Sequence, residues 1–231
     1  MVDDPVQALL KAPPVLYMFW LGAAPMTANR AAAVRSAIEN NPGVSVQLIT
    51  DTTLDKILVE GYPLPRAYYN LALTHRADYL RAYVMHFHGG GYVDVKRIDS
   101  SWGPLYDRLN ASPDSWAIGY REISSLSTSL LPGRVQQDLR RNFFRVIGNG
   151  AFIFRPQSPL TTEWYAEVTR RTKYYEDLLE RRPGGVRGGE ASSEVVPKHA
   201  LLGDILGPLA LKYHERLLFD DRIKPNLVDY Q

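Results

Sequence analysis

The hydrophobic pattern changes its period between Arg76 and Asp99, near the middle of the chain. Apolar residues first recur at helical spacing, which predicts a helix with one stripe facing a core. The residues of this stripe are Leu80, Tyr83, Val84 and Phe87. Three consecutive glycines, Gly89 to Gly91, then end the helix, because glycine allows positive φ and close backbone approach.

A short strand is predicted to begin at Tyr92 and Val93, directly after these glycines. Because side chains alternate along a strand, Asp94 and Lys96 are expected on one face and Val95 on the other. A carboxylate and an ammonium group at the carboxyl end of a strand are typical of the crevice in which α/β sheets bind ligands.

The N-terminal part of the chain predicts a β-α-β unit. Val15 to Trp20 is an apolar run of strand length, and Val44 to Ile49 alternates and is rich in β-branched residues. Between them, Thr27 is expected to cap a helix that reaches about Asn40. The predicted inner side of that helix consists of Ala31, Ala32, Val34, Ala37 and Ile38. The unit contains neither Gly-x-Gly-x-x-Gly nor a Walker loop, so it lacks the phosphate cradle of dinucleotide-binding and P-loop proteins.

Strand and helix patterns continue to alternate along the rest of the chain, which predicts an α/β fold. Helical segments are expected at 53–60, 66–74, 105–110 and 161–181, and strands at 116–120 and 146–154. Loops are expected at 124–133, which lacks a clear period, and at 182–189, which is rich in glycine. Gly203 to Pro208 is expected to precede a last helix, and residues 219–225 to form an edge strand or a loop.

Composition limits the possible functions. The chain has 231 residues, of which 45% are hydrophobic, which predicts a single domain with a sizeable core. Its 27 basic and 25 acidic residues give a net charge of +2, which argues against a nucleic-acid-binding protein. There is no cysteine, and no apolar run approaches the ~20 residues of a membrane span. The acidic N-terminus lacks the features of a signal peptide, so a cytoplasmic protein is expected.

Two linked motifs resemble one family of enzymes. Ala77-Asp78-Tyr79-Leu80-Arg81 is followed by Gly90-Gly91-Tyr92-Val93-Asp94-Val95-Lys96. This pattern resembles the glycosyltransferases with a DXD sugar-binding region, of the family 32, capsular polysaccharide synthesis and large clostridial cytotoxin types. They carry a Ser/Ala-Asp-x-x-Arg helix and then Gly-Gly-x-Tyr-x-Asp-x-Asp. Lys96 stands where the second Asp of that motif is found.

The resemblance covers roughly residues 14 to 155 and implies a GT-A type fold, with a mostly parallel, Rossmann-like sheet and helices on both faces. It also extends to Tyr17–Gly22, which is similar to the end of the family's first strand, and more weakly to Gly207-Pro208. About 14–100 would hold the nucleotide sugar and about 101–231 would form the acceptor side of one glycosyltransferase domain, 1–231.

The resemblance also implies roles for individual side chains. Those implied to bind the donor are Phe19, Trp20, Asp78, Arg81, Tyr92, Asp94 and Lys96. Trp20 would stack on the base, Asp78 and Arg81 would reach the sugar and phosphates, and Asn149 would line the acceptor side. From the residues alone, Trp20 could equally be core, Asp78 and Arg81 a solvated ion pair, and Asn149 part of an Asn-Gly turn.

The exchange at Lys96 bears on the cofactor. Metal-dependent members of the family hold Mn²⁺ or Mg²⁺ through the second Asp, and an ammonium group cannot ligate a cation. Lys96 could replace part of the metal's role by contacting a phosphate directly, or it could be a solvated residue at the strand end. Alternatively, Asp94 could hold the metal together with Asp99 or His214. A metal-assisted site is expected, since Asp94 remains and a diphosphate supplies oxygen ligands.

The function expected from the resemblance is transfer of a hexose from a UDP- or GDP-sugar to a hydroxyl of a glycan-type acceptor. Asp94 and Lys96 would be catalytic, because they would manage the charge of the departing diphosphate. Glu122 and Asp204 are possible bases, although no motif singles out either of them. The alternative is a non-catalytic module that binds nucleotide sugars or glycans.

Overall fold

The computed structural model describes residues 9–184 and 195–226, which form an α/β structure around a six-stranded sheet. The strands are β1 (Val15–Phe19), β2 (Ser45–Ile49), β3 (Gly90–Val93), β4 (Ala117–Arg121), β5 (Ile147–Phe154) and β6 (Leu217–Phe219). Their order in the sheet is β2-β1-β3-β5-β4-β6, and β5 alone runs antiparallel to its neighbours in this sheet. The predicted mostly parallel sheet is therefore confirmed.

Helices cover both faces of the sheet, as predicted. They are α1 (Ala28–Glu39), α2 (Leu73–Phe87), α3 (Gly103–Asn110), α4 (Arg134–Arg141), α5 (Pro159–Tyr174), α6 (Glu176–Arg181) and α7 (Gly203–Lys212). Alternate side chains of β1 enter two cores: Leu16 and Met18 pack with α1 and α3, whereas Tyr17 and Phe19 pack with α2, α5 and α7. Within the described ranges, no helix combines the length and apolarity that a membrane crossing requires.

Helix α1 begins as predicted, and its inner side matches the prediction in part: Ala37 is buried and Val34 is partly buried against the core. The Thr27 side chain accepts a hydrogen bond from the Arg30 amide and so caps the helix. The buried residues are Ala33, Ser36 and Ala37, whereas Ile38, predicted to lie inside, is 56% exposed. The Ser36 hydroxyl donates to the Ala33 carbonyl and accepts from the Ile98 amide. The buried hydroxyl of Ser36 therefore has both a hydrogen-bond acceptor and a donor where α1 packs on the sheet, a position at which the pattern predicted apolar residues.

Helix α2 is buried on nearly all sides rather than along one stripe. Every residue from Asp78 to Met85 is buried, because the sheet lies on one side of the helix and α5 packs on another. Leu80, Tyr83 and Val84 are core residues as predicted, and Phe87 is half-buried. Asp78 and Arg81 are buried with the rest of this part of the helix. The alternative of a solvated ion pair, which their spacing in the sequence left open, is therefore wrong.

Several other segments differ from the prediction. The helical segments at 53–60 and 66–74 are short 3₁₀ turns at Leu54–Ile57 and Arg66–Asn70, the second separated from α2 by extended backbone. The helix at 161–181 is divided at Tyr175 into α5 and α6, and Gly203–Pro208 lies inside α7 rather than before it. Of the predicted N-terminal and glycine-rich segments, residues 1–8 and 185–189 lie outside the described residues.

The predicted glycine turn joins α2 to β3 with backbone that other residues rarely adopt. Gly89 and Gly90 have φ of +65° and +89°. A Cβ at Gly90 would lie 2.7 Å from the carbonyl oxygen of Val15 in β1, so glycine is required for conformation and for space. This turn fixes where β3 begins, and Asp94 directly follows the last residue of this four-residue strand.

Replacing Gly90 by alanine is expected to destabilise the fold more than the same change at Gly43. Gly43 has φ of +87° and no atom within 4 Å of an added Cβ, so Gly43→Ala tests conformation alone, at about 1–2 kcal/mol. Gly90→Ala adds a clash with β1, which is expected to cost about 1–3 kcal/mol more. Denaturant unfolding measures both free energies, and equal losses would contradict the close approach.

Candidate functional site

A cleft of about 390 Å³ opens at the carboxyl ends of β1 and β3, beside the first turns of α2. Six of the seven predicted donor-binding residues line it: Phe19, Trp20, Arg81, Tyr92, Asp94 and Lys96. The seventh, Asp78, is buried and contacts Arg81. Residues from three separate stretches of the sequence are thus brought together at one edge of the sheet.

Asp94 lies between two cationic side chains. Its Oδ1 atom accepts hydrogen bonds from the Tyr92 hydroxyl at 2.8 Å and from Nη2 of Arg81 at 3.1 Å. Its Oδ2 atom is 3.2 Å from Nζ of Lys96. Its backbone amide donates to the Gly150 carbonyl of β5 at 2.9 Å, which holds the residue at the strand end. Val95 packs into the opposite core, as predicted. The predicted strand position is wrong, because β3 runs from Gly90 to Val93 and Asp94 to Lys96 follow it, with a bend at Val95 and Lys96.

Arg81 is held in place by several partners. Besides Asp94, its Nη1 atom donates to the Asn149 carbonyl at 3.2 Å and lies 3.7 Å from Oδ1 of Asp78. Its guanidinium carbon is 4.4 Å from the centre of the Tyr92 ring, a cation–π distance. These contacts preorganise a permanent positive charge at the cleft.

Asp78 is 3% exposed, and burial raises its pKa to about 7, although the nearby Arg81 acts in the opposite direction. The side chain is therefore partly protonated at neutral pH. It is not among the described residues that line the cleft, so its predicted contact with a donor sugar stays a prediction.

The aromatic residues predicted at the end of β1 lie in different environments. Phe19 belongs to the core, and its ring centre is 5.1 Å from that of Tyr92. Trp20 is half-buried, lines the cleft and donates from Nε1 to the Ala24 carbonyl at 2.9 Å. Trp20 therefore presents part of an anchored indole to the cleft.

Asn149 lies within β5, so the alternative of an Asn-Gly turn is wrong. Pairing with β4 on both sides of the Asn-Gly pair, at Ile147 and at Phe152, overrides its local preference for a turn. The backbone carbonyl of Asn149 contacts Arg81, and its side-chain amide lies beside the first residue of α7. Its role on the acceptor side stays a prediction.

Sequence reasoning missed six residues that line the cleft: Leu21, Arg30, Leu73, Thr74, Ala77 and Val95. Thr74 and Ala77 lie seven and four positions before Arg81, so helical spacing could have identified them. Arg30 comes from α1, and its Nη1 atom donates to the Val95 carbonyl at 2.5 Å. No local pattern identifies Arg30, because its position depends on how α1 packs on the sheet.

The residues at this cleft do not fit a divalent cation held by Asp94. Both carboxylate oxygens face cations, and an ion at Oδ2 would lie against the ammonium group of Lys96. Among the described residues, no group of three His, Cys, Asp or Glu side chains is placed to hold a metal. The suggested additional ligands have other partners: Asp99 accepts from Arg97 and Asn226, and His214 contacts Leu211 and Arg145.

Comparison with known proteins gives structural likenesses but no match in sequence. No protein-family model matches the chain, and no curated protein sequence matches it. The solved structure of a chain described as PaToxG glycosyltransferase is similar with a TM-score of 0.45 and 14% sequence identity, over 96% of this chain and 83% of that one. At this level of similarity, the chemistry of the cleft has to be inferred from its own side chains.

The buried carboxyl group predicts a pH-dependent stability. Because the pKa of Asp78 is raised to about 7 in the folded protein, the folded state retains a proton that the unfolded state has lost above about pH 4. The free energy of unfolding should therefore fall as pH rises from about 4 to 7, by on the order of 1 kcal/mol per pH unit from this group. Asp78→Asn should remove this contribution. Compared with the natural chain at the same pH, the variant should therefore be more stable at pH 8 than it is at pH 5.

Denaturant unfolding across pH measures the difference between the variant and the natural chain. Asp114→Asn, at an exposed carboxylate, is the matched control and should leave the pH slope unchanged. A pH slope that Asp78→Asn does not alter would contradict the assignment.

Proposed function

We propose that this protein is a glycosyltransferase that moves a hexose from a nucleotide diphosphate sugar to a hydroxyl of a glycan-type acceptor. The observation that carries the proposal is the arrangement of Arg81, Asp94 and Lys96 at the carboxyl end of β3. It occupies the position at which α/β sheets bind ligands, and it carries the two linked motifs found in the sequence.

Positive charge at the cleft favours a diphosphate. Among the described residues that line it, Arg30, Arg81 and Lys96 are cationic and Asp94 is the one carboxylate. Leu73 and Thr74 add the first turn of α2, where the helix dipole favours anions. An anionic group entering the cleft therefore meets charges that are already placed for it.

In the proposed reaction, the bond between the anomeric carbon and the diphosphate oxygen breaks, and its electron pair leaves with the nucleotide. The acceptor oxygen bonds to the anomeric carbon and gives its proton to the departing diphosphate, directly or through water. Arg81 and Lys96 stabilise the charge that develops on the diphosphate, and Asp94 holds both of them in position. Lys96 thus supplies the charge compensation that a divalent ion gives in related motifs.

Trp20 is proposed to stack on the base of a UDP- or GDP-sugar, because a base on an aromatic face gains about 1–3 kcal/mol. Asn149, beside Arg81, is proposed to mark the acceptor side. A cytoplasmic location remains part of the proposal.

Removing the carboxylate tests the proposed catalytic cluster. Asp94→Ala and Asp94→Asn should lower kcat/KM for hydrolysis or transfer of the accepted nucleotide sugar by at least about a hundredfold, since Arg81 and Lys96 lose their common anchor. Asp114→Ala, which removes an exposed and ion-paired carboxylate, is the control and should retain activity. Unchanged turnover in both Asp94 variants would refute the assignment, and binding without turnover in the natural chain would favour a non-catalytic module.

Removing the ammonium group tests the role of Lys96. Lys96→Gln should weaken binding of the free nucleoside diphosphate by about ten- to a hundredfold, because a charge-assisted contact contributes about 1.5–3 kcal/mol. Lys212→Gln removes an exposed lysine that pairs with Glu163 and should leave the affinity unchanged. Calorimetric titration measures both, and equal affinities for the two variants would contradict direct contact between Lys96 and the diphosphate.

A further inference from the structure

The segment 121–145 concentrates exposed apolar residues on one part of the surface. Its exposed large apolar side chains are Ile123, Leu126, Leu130, Val135 and Phe144. The first three are 73%, 81% and 69% exposed. Scattered surface leucines are ordinary, but three such side chains within eight positions of one loop are not explained by packing within the described part of the chain.

The same segment concentrates positive charge. Arg121, Arg134, Arg140, Arg141 and Arg145 are all exposed. Only two acidic residues, Glu122 and Asp138, accompany them, which gives the segment a net charge of +3. The whole chain carries +2, so all its other residues together sum to −1. Within the described ranges, Arg134 is the one member of these five that pairs with a carboxylate, Asp138 at 3.7 Å.

Contacts within the segment hold these residues on a common surface. The turn at Ser125–Ser127 packs against α4, and the Arg121 guanidinium donates to the Phe144 carbonyl at 2.6 Å. Leu139 is fully buried and anchors α4, which also packs on α7. One side of the segment is thus fixed to the rest of the fold. The exposed aliphatic side chains lie on its solvent side.

We propose that this surface, residues 121–145, docks on an anionic lipid bilayer. Exposed aliphatic side chains surrounded by arginines match the two parts of a membrane surface: the acyl boundary accepts the apolar groups, and anionic headgroups attract the cations. Serines 124, 125, 127 and 129 separate the apolar side chains, and Phe144 is the one exposed aromatic residue of the surface. This composition differs from the aromatic-rich, tightly packed centre of a typical protein interface.

Apolar surface continues beside this docking surface. Leu131, Pro132 and Val135 form one wall of a groove of about 650 Å³, which is completed by Ile205, Pro208 and Leu209 of α7. Three acidic residues line the groove. Glu163 and Glu167 are paired with Lys212 and with Arg170 and Arg171, so their negative charges are largely compensated. The third, Asp204, has its Oδ1 atom buried rather than facing an approaching surface.

The position of the docking surface relates it to the cleft. It follows the carboxyl end of β4, which points in the same direction as β3, so both ends lie at the same edge of the sheet. Gly150 links the two ends, because its carbonyl accepts from Asp94 and its amide donates to the Tyr120 hydroxyl. Docking would bring this edge towards the bilayer. That the acceptor is then a membrane-borne molecule rests on the proposed function, whereas docking itself does not.

Vesicle flotation tests the proposal without any assay of activity. The full chain should bind vesicles of phosphatidylcholine with phosphatidylglycerol, more weakly at high salt, and bind poorly to phosphatidylcholine alone. Ile123→Ser/Leu126→Ser/Leu130→Ser should weaken binding by at least about tenfold. Arg140→Gln/Arg141→Gln should weaken it roughly thirtyfold, at ~1 kcal/mol per arginine.

Matched controls separate this surface from general effects. Ile38→Ser/Tyr174→Ser removes side chains that are 56% and 72% exposed on other parts of the surface. Arg35→Gln/Arg216→Gln removes two exposed positive charges, as many as Arg140→Gln/Arg141→Gln does. Both control variants should bind as the natural chain does. Absence of binding to anionic vesicles, or equal losses in test and control variants, would overturn the proposal. A dimer in sedimentation that the triple serine variant abolishes would assign the surface to a second copy instead. Nucleotide-sugar hydrolysis without vesicles, measured on the same variants, tests the proposed function separately.

Discussion

One carboxylate held between two cations is the interaction on which the cleft depends. Asp94 bonds Arg81 through one oxygen and approaches Lys96 through the other, so the helix, the strand and the loop after it are joined at a single group. The half-buried setting makes each charge costly to leave unpaired. The position of Asp94 therefore determines where both cations lie at the cleft. Those cations are the groups proposed to stabilise the negative charge of a diphosphate.

The glycine turn makes this arrangement possible. Gly90 passes within reach of the Val15 carbonyl, and a Cβ on Gly91 would lie 2.5 Å from the Tyr106 hydroxyl. The chain can therefore reverse from a largely buried helix into the centre of the sheet without a long loop, which brings Arg81 and Asp94 together although 13 positions separate them. Strand β5 closes the other side through Gly150, where a larger residue would crowd the Asp94 carboxylate.

Local patterns predicted the parts of this structure that depend on neighbours in sequence. The β1-α1-β2 unit, the Thr27 cap, the glycine turn and the grouping of Asp94 with Lys96 all follow from periodicity and turn chemistry. The burial of Asp78, the inward face of α1 at Ser36 and the contribution of Arg30 could not be predicted, because they depend on which elements pack against each helix. Asn149 shows the same limit: an Asn-Gly pair favours a turn locally, yet pairing with β4 on both sides of it keeps it in β5.

The most direct test of the central claim is calorimetric titration of the natural chain with a panel of UDP- and GDP-sugars, in EDTA and again with Mn²⁺. If Arg81 and Lys96 compensate the diphosphate charge, at least one nucleotide sugar should bind in EDTA, and Mn²⁺ should change its affinity little. Binding that appears only with Mn²⁺, or no binding in either condition, would contradict the account.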